Sequence, residues 1–369
     1  MSRENLAKAK KAKNDEFYTQ YIDIQKEVES YIEYNPDTFR NKIVYCNCDD
    51  PYESNFFRYF VLNFKRLGLK KLITTSYKPS PVANTLLELI GGGGNSKVKS
   101  KNSLEVTANK IIINSVGDID GDGEFSLKDI AKQLKENKNN EWEPLEEDGD
   151  FRSEECIELL KKADIVVTNP PFSLYREFVE HIFKYDKKFL IIANKNSVTY
   201  KEIFPKIKEN KMWTGTRSWG GGMWMQTFDL NDVDKVVNGI NMKNVPSCWF
   251  TNLDHGKRHQ VLNLMTMAEN KKFNKKIQKS ETVYEEYDNY NAIEIPFTDA
   301  IPSDYEGVMG VPISFLDKYN PDQFEILGNS NVHGEREHLM NGIKSKTDCT
   351  YIDGKPQYAR ILIKHKKKK

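Results

Sequence analysis

Short apolar runs alternate with amphipathic stretches through the first half of the chain. Residues 42–46, 71–77, 111–113, 165–167 and 188–193 are rich in Ile, Val, Leu and Tyr and read as buried strands. Between them, apolar side chains at helical spacing predict helices over 21–34, 55–62, 82–90, 127–136, 153–162 and 174–183. Ser153 is a natural N-cap for its helix, and Glu154 and Glu155 suit its positive end. Asp50 before Pro51 reads as a helix start of the same kind. Residues 95–116 read as a hairpin and 137–148 as a polar, acidic connection. Strand and helix in alternation predict an α/β fold with a doubly wound, mostly parallel sheet. After residue 251 the pattern changes to short strands near 292–295, 308–312, 324–327 and 358–363, a smaller α+β region.

One strand ends in unusual chemistry. Ile165-Val166-Val167 stops at Asn169-Pro170-Pro171-Phe172. Neither proline has an N–H to continue a ladder, and each holds its predecessor extended. An amide, a carbonyl and an aromatic ring are therefore fixed at a strand end, where open α/β sheets bind ligands. The Asn169 side-chain oxygen and the Pro170 carbonyl can accept both protons of an exocyclic NH2 group. That localises the nitrogen lone pair for methylation, and Phe172 can stack on the flat base. The bland alternative is a turn with a packed Phe.

The first strand runs into Asn47-Cys48-Asp49-Asp50-Pro51, a loop without G-x-G-x-x-G. A pyrophosphate wants bare backbone amides, whereas carboxylates suit an ammonium group. The loop disfavours a dinucleotide and leaves S-adenosylmethionine open; Asp49 and Asp50 as simple helix caps remain the alternative. The end of the second strand would face the cofactor's ribose or adenine. Gly149-Asp150-Phe151 offers a carboxylate for an adenine amino group and a ring for its face. Phe17-Tyr18-Thr19 before the first helix is either a cap with a hydrophobic staple or a lid over a cofactor.

Other stretches carry weaker chemistry. Asp118, Asp120, Asp122, Glu124 and Asp129 fit a calcium-loop pattern, with Asp in place of Glu at the twelfth position and a strand rather than a helix leading in. A solvated loop capping the helix 127–136 explains the same residues, and no metal is expected to take part in catalysis. Gly91 to Gly94 lacks the strand and Lys-Ser/Thr of a phosphate loop. Arg217, Trp219 and Trp224 sit in a glycine-rich stretch that suits stacking on an unstacked base and gripping phosphate; the alternative is a hairpin burying its tryptophans. Cys248, His255 and His259 lack zinc-module spacing.

Composition adds bounds. The 369 residues allow one large domain and a smaller one. Net charge is +1, so any nucleic-acid surface must be a local patch, such as Lys271, Lys272, Lys275 and Lys276 or the lysine tail. Mean hydropathy is −0.67, and no apolar run approaches the roughly 20 residues of a membrane span. The lysine-rich N-terminus has no apolar run behind it, unlike a signal peptide. Five scattered cysteines fit reduced thiols of a cytoplasmic protein.

Taken together, the motifs resemble the adenine-specific DNA methyltransferases of the EcoRI-modification type. The likeness runs from about residue 14 to 363. It is carried by Asn14 to Gln20, Cys48-Asp49-Asp50-Pro51-Tyr52-Glu53-Ser54, Gly149-Asp150-Phe151, Thr168-Asn169-Pro170-Pro171-Phe172-Ser173, Trp249-Phe250-Thr251-Asn252-Leu253 and the stretch 301–312. The resemblance implies a sheet of the S-adenosylmethionine-dependent methyltransferase type and three parts: 1–40 flanking the cofactor, 41–210 the catalytic core, and 211–369 for target recognition. It implies that Phe17, Tyr18 and Thr19 flank S-adenosylmethionine, that Cys48, Asp49 and Asp50 line its methionine part, and that Asp150 and Phe151 line its adenine. Asn169, Pro170, Pro171 and Phe172 would hold a target adenine flipped out of double-stranded DNA for N6 methylation, with Asn169 also beside the cofactor. A monomer paired functionally with a restriction endonuclease is the implied setting. The missing loop glycines depart from the wider superfamily. The same residues could also serve RNA adenine N6, cytosine N4 or a glutamine amide, or a DNA-binding protein of this fold without activity. A calcium-dependent interaction protein is a further alternative.

Overall fold

The computed structural model of the chain describes residues 18–48, 54–77, 108–119, 125–136, 139–217, 219–227, 229–280, 283–330 and 350–366. The expectations for Phe17, Asp49, Asp50, Asp120, Asp122, Glu124, the helix 82–90 and the glycines 91–94 lie outside them. Two compact units divide the chain: one takes residues up to 194 together with 220–253, the other 195–219 and 254–369.

The first unit begins with β1 (Tyr18–Thr19), α1 (Tyr21–Tyr34), β2 (Ile43–Cys46), α2 (Asn55–Leu62), α3 (Phe64–Leu67) and β3 (Lys71–Thr75). It continues with β4 (Asn109–Ile113), α4 (Leu127–Lys135), β5 (Glu141–Pro144), α5 (Glu154–Lys162), β6 (Ile165–Thr168), α6 (Tyr175–Lys184) and β7 (Lys188–Asn194). The segment 195–219 holds α7 (Phe204–Lys208) and β8 (Trp213–Thr214) of the second unit, and the first resumes with β9 (Met223–Gln226), β10 (Lys235–Val237), β11 (Ile240–Val245) and β12 (Ser247–Thr251).

Within this unit the main sheet runs β5-β4-β3-β2-β6-β7-β12. Its centre, β3-β2-β6-β7, is parallel, and β4, β5 and β12 extend it antiparallel. Side chains alternate along each strand. Val44, Cys46, Ile165, Val167, Leu190 and Ile192 face a core shared with Ile24, Val28 and Tyr31 of α1 and with Phe56 and Phe60 of α2. The opposite face packs under α5 and α6, where Tyr175 meets Phe250 and Phe183 meets Phe189. Helices on both faces make the fold doubly wound, and the apolar runs of the central strands follow from burial on both sides.

The acidic stretch 137–148, expected as a connection, instead contains β5. It is an edge strand whose Glu141 and Glu143 stay in solvent, with Lys110 of β4 paired to Glu143 at 2.9 Å. Such a strand needs no apolar alternation and carries charges that discourage further pairing. Tyr18 and Thr19 are likewise not a helix cap. They form β1, paired with Gln226 and Met225 of β9 in a small sheet ordered β1-β9-β11-β10.

Asp129, the twelfth position of the calcium pattern, closes a capping box on α4. Its carboxylate accepts the Ile119 and Ser126 amides at 2.8 Å each and the Ser126 hydroxyl at 3.0 Å. A buried carboxylate so occupied marks the start of a helix. Among the described residues, no three His, Cys, Asp or Glu side chains gather as a metal site.

The second unit adds α8 (Met267–Phe273), β13 (Ile293–Glu294), β14 (Met309–Pro312), β15 (Phe324–Asn329), β16 (Tyr351–Ile352), β17 (Lys355–Pro356) and β18 (Arg360–His365). Its sheet is ordered β13-β14-β18-β15, close to where the sequence placed strands. Buried in it, Glu294 receives the Arg360 guanidinium and the Tyr287 hydroxyl. Tyr287 lies so close to β14 that a Cβ on Gly310 would meet its hydroxyl at 2.2 Å, which explains the glycine.

His255 is also buried here, 2% exposed, and its Nε2–H donates to the Thr214 carbonyl at 3.0 Å. Burial pulls its pKa down to about 4, while the Thr214 carbonyl acts in the opposite direction. An unfolded chain returns the imidazole to about 6.5. Below that pH the unfolded state binds a proton that the folded state refuses, so stability present above 6.5 drains away as pH falls towards 4. The full shift corresponds to about 3 kcal/mol. Urea midpoints taken from pH 7 to 4.5 are expected to fall, and His255→Gln is expected to flatten that slope; an equal slope in both proteins would rule His255 out as the source.

Candidate active site at the carboxyl edge of the sheet

Because β2, β3, β6 and β7 run the same way, the segments that follow them open on one edge. The chain goes from β2 outward to β3 and later returns to place β6 on the other side of β2. The crevice outside this reversal is the preferred ligand position of such sheets. Two bonds show how closely its walls are joined. The Thr168 hydroxyl, at the end of β6, donates to the Asn47 carbonyl just after β2. The Asn55 amide, in the first turn of α2, donates to the Thr19 carbonyl at 2.7 Å.

On the β6 side, Asn169 is half-buried and Pro170 buried. Pro171 is extended (φ −53°, ψ 124°), and Phe172 opens a single tight turn closed by Leu174 N–H to the Pro171 carbonyl at 2.9 Å. The prolines thus stop the strand as their chemistry requires, and the turn leads directly into α6. Phe172 packs one part of its ring on the core and leaves the rest exposed.

On the β2 side, Cys48 adopts a left-handed backbone (φ 61°), rare for a residue with a Cβ, and is half-buried. Asn47 is 3% exposed, and among the described residues its Oδ1 has no hydrogen-bond partner; the Thr19 hydroxyl, also buried, has none among them either. Within the described residues α2 starts at Asn55, and its N-cap is Ser54, which accepts the Phe56 amide at 3.1 Å.

The loop before α5 closes the β3 side. Gly149 (φ 77°) lies so tightly on the end of β3 that a Cβ there would stand 2.0 Å from the Ser76 carbonyl oxygen. Glu155 and Glu147 stitch the loop to the α5 N-terminus by accepting the amides of Glu146 and Glu154 at 2.7 and 3.1 Å. Asp150 therefore sits beside the end of β3. Its carboxylate accepts a fork from Arg152, 2.8 Å from Nε and 2.6 Å from Nη2, while Arg152 Nη1 reaches Glu177 of α6 at 2.8 Å. Phe151 is 3% exposed and stacks edge-on against Phe178. Beneath, the Tyr45 hydroxyl lies 3.0 Å from Thr75 Oγ1 and also bonds Cys156, joining β2, β3 and α5. Burial pushes both the Tyr45 phenol and the Cys156 thiol up, so both stay neutral.

Tyr18, Thr19, Cys48, Asp150, Asn169, Pro170, Pro171 and Phe172 thus belong to elements that meet at one edge of the first unit, though they span most of its sequence. Phe151 instead anchors its loop in the core. Trp224, on β9 of the same unit, carries the Lys235 ammonium 3.5 Å over its ring. Arg217 and Trp219 fall in the second unit, where Arg217 is exposed and the Trp219 carbonyl accepts Lys195. Asn47, at the same edge, is a residue that sequence reasoning did not single out. Its position after β2 was legible, but its burial and unmet oxygen were not.

Residues 5–366 match the family described as adenine-specific methyltransferase EcoRI. The chain is 42% identical to the type II methyltransferase M.EcoRI of Escherichia coli over 98% of this chain and 96% of that one. It is 34% identical to the type II methyltransferase M.MpnI of Mycoplasma pneumoniae, over 97% of each. No solved structure matches the chain. With a doubly wound sheet whose switch point carries Asn-Pro-Pro-Phe, and a match across almost its whole length, the chain belongs to the EcoRI family of adenine-specific DNA methyltransferases.

Proposed function

We propose that this enzyme takes its methyl group from S-adenosylmethionine and places it on adenine N6 of a base flipped out of double-stranded DNA. The observation that carries this reading is the Thr168–Asn47 bond, which sets the Asn169 strand end against the loop after β2 at the switch point. The residues fit the donor. Asp150, oriented by Arg152, suits its adenine amino group, and the buried Thr19 hydroxyl, without a partner among the described residues, suits a polar atom of the ligand. Cys48, with Asp49 and Asp50 beyond it, would line the methionine part. When bound, the donor supplies an electrophilic methyl on a positively charged sulfur.

The Asn169 side-chain oxygen and the Pro170 carbonyl would accept hydrogen bonds from the two N6–H groups, directing the lone pair at that methyl. Pro171 keeps the turn rigid, and the exposed part of Phe172 stacks on the base. As the N–CH3 bond forms, the bond between that methyl and sulfur would break and leave a neutral thioether; N6 gains the positive charge and then loses a proton to solvent, so no strong base is needed. Catalysis on this account is positioning, and flipping is required because N6 is out of reach inside the stack.

Arg217, Trp219 and Trp224 are proposed to contact DNA. The cofactor-flanking role of residues 1–40 and the catalytic role of 41–210 follow from the same reading. The recognition role of 211–369 would draw on both compact units, since 220–253 folds with the catalytic one. The four described cysteines are free thiols, in keeping with a reducing cytoplasm. The type II names of the relatives fit modification of a specific site alongside a cognate restriction endonuclease, and the enzyme is proposed to act as a monomer.

The test is transfer of a labelled methyl from S-adenosylmethionine to duplex DNA lacking methylation, followed by nucleoside analysis. Labelled N6-methyladenine at one sequence is expected. Label on cytosine, label only on RNA, or no label at all would overturn the proposal.

A further inference from the structure

Asn47 has no part in the mechanism so far. Its backbone is pinned, because its carbonyl accepts the Thr168 hydroxyl. Its side chain is nonetheless incomplete: the residue is 3% exposed, and Oδ1 has no hydrogen-bond partner among the described residues. Buried amides are almost always satisfied, and leaving one unmet is costly. A pinned, buried, unmet amide at a ligand-binding edge is what a binding group looks like before its ligand arrives.

Its place along the edge says which part of the ligand it meets. Asp150 lies against the end of β3, Asn169 ends β6, and Asn47 follows β2, the strand between them. A donor with its adenine at Asp150 and its methyl towards Asn169 must carry its amino-acid arm past the middle strand. We propose that Asn47 is a donor-binding residue whose side-chain oxygen accepts a hydrogen bond from the α-ammonium of that arm. The inference rests on S-adenosylmethionine being the donor. A neutral carbonyl suits the task, since it binds an ammonium without burying a charge when the ligand is gone.

Calorimetry with two ligands tests it: S-adenosylmethionine, and 5′-methylthioadenosine, which keeps the adenosine and sulfur but lacks the arm. Asn47→Leu is expected to weaken S-adenosylmethionine by roughly tenfold or more, the usual worth of a hydrogen bond to a charged group. Binding of 5′-methylthioadenosine should stay as in the wild type. Asn47→Asp, which keeps an acceptor in place, is expected to bind S-adenosylmethionine at least as tightly as the wild type. Equal weakening of both ligands by Leu, or no weakening, overturns the proposal. So does a tenfold loss with Asp, which would mean that the amide donates to the arm's carboxylate instead. Should Asn47→Leu fail to show a normal melting transition, the Asp variant alone decides. A wild-type protein giving no heat with S-adenosylmethionine would instead sink the donor reading.

Discussion

Asn169→Ala is expected to reduce methyl transfer by about 10³-fold or more while changing donor affinity by only about a factor of two. The reasoning is local. The proposed role of Asn169 is to accept an N6 proton whose acidity rises as the nitrogen gains charge, so its contribution grows towards the transition state. Removing one preorganised polar partner of that kind costs about 10²–10³ in rate. Here the same side chain also orients the lone pair, and the Pro170 carbonyl cannot orient it alone. The fold should survive, because Pro170 and Pro171 hold the turn and the Thr168 hydroxyl remains on Asn47. Single-turnover transfer of labelled methyl to DNA and calorimetry with S-adenosylmethionine separate the two effects. Near-normal turnover in Asn169→Ala would remove this residue from the mechanism.

Glu294→Ala is expected to give the largest loss of stability, about 3–5 kcal/mol, the usual penalty for removing one partner of a buried ion pair. The Glu294 and Arg360 side chains are only 2% and 10% exposed. Both carboxylate oxygens take the guanidinium, at 3.0, 3.1 and 2.6 Å, and the Tyr287 hydroxyl donates as well. Alanine would strand a buried cation and leave the buried Tyr287 phenol with the Gly310 carbonyl at 3.3 Å. Replacing both charged partners, Glu294→Met with Arg360→Met, should be much milder, because nothing charged is then left unpaired. Urea denaturation of the full chain checks this. A single variant no worse than the double would show that the pair is not what holds this sheet.

Much of the first unit is legible in the residue pattern. The helices α1 and α2 fall on the residues that periodicity marks, and β2, β6 and β7 lie within a residue of theirs. The reason is that each is buried along a stripe or on both faces, so the code is local and strong. The failures share a different cause. β5 is an edge strand, β1 has two residues, and the β9–β11 pairing lies in a stretch read for its Trp and Arg content. Their hydrogen bonds are made to distant partners, and their composition does not record them. Asp129 shows ambiguity of another sort. Ser126 and Asp129 satisfy both a calcium-loop spacing and a capping box, and the Ile119 and Ser126 amides show that the capping box is formed.

By itself the sequence determined the groups. Asn169, Pro170, Pro171 and Phe172 end a strand because two consecutive prolines cannot extend a ladder, and a Gly149 followed by an acid marks a tight loop. Which strand end stands beside which was decided only by the tertiary structure. The Thr168 hydroxyl and the Asn47 carbonyl are 121 residues apart in sequence and bonded in the fold. Strand order depends on how helices cover both faces of the sheet and on where the chain doubles back. Those are long-range packing choices that no window of residues contains. They set the Asn169 strand end beside the loop that follows β2, and they leave Asn47 buried between the ends of β3 and β6.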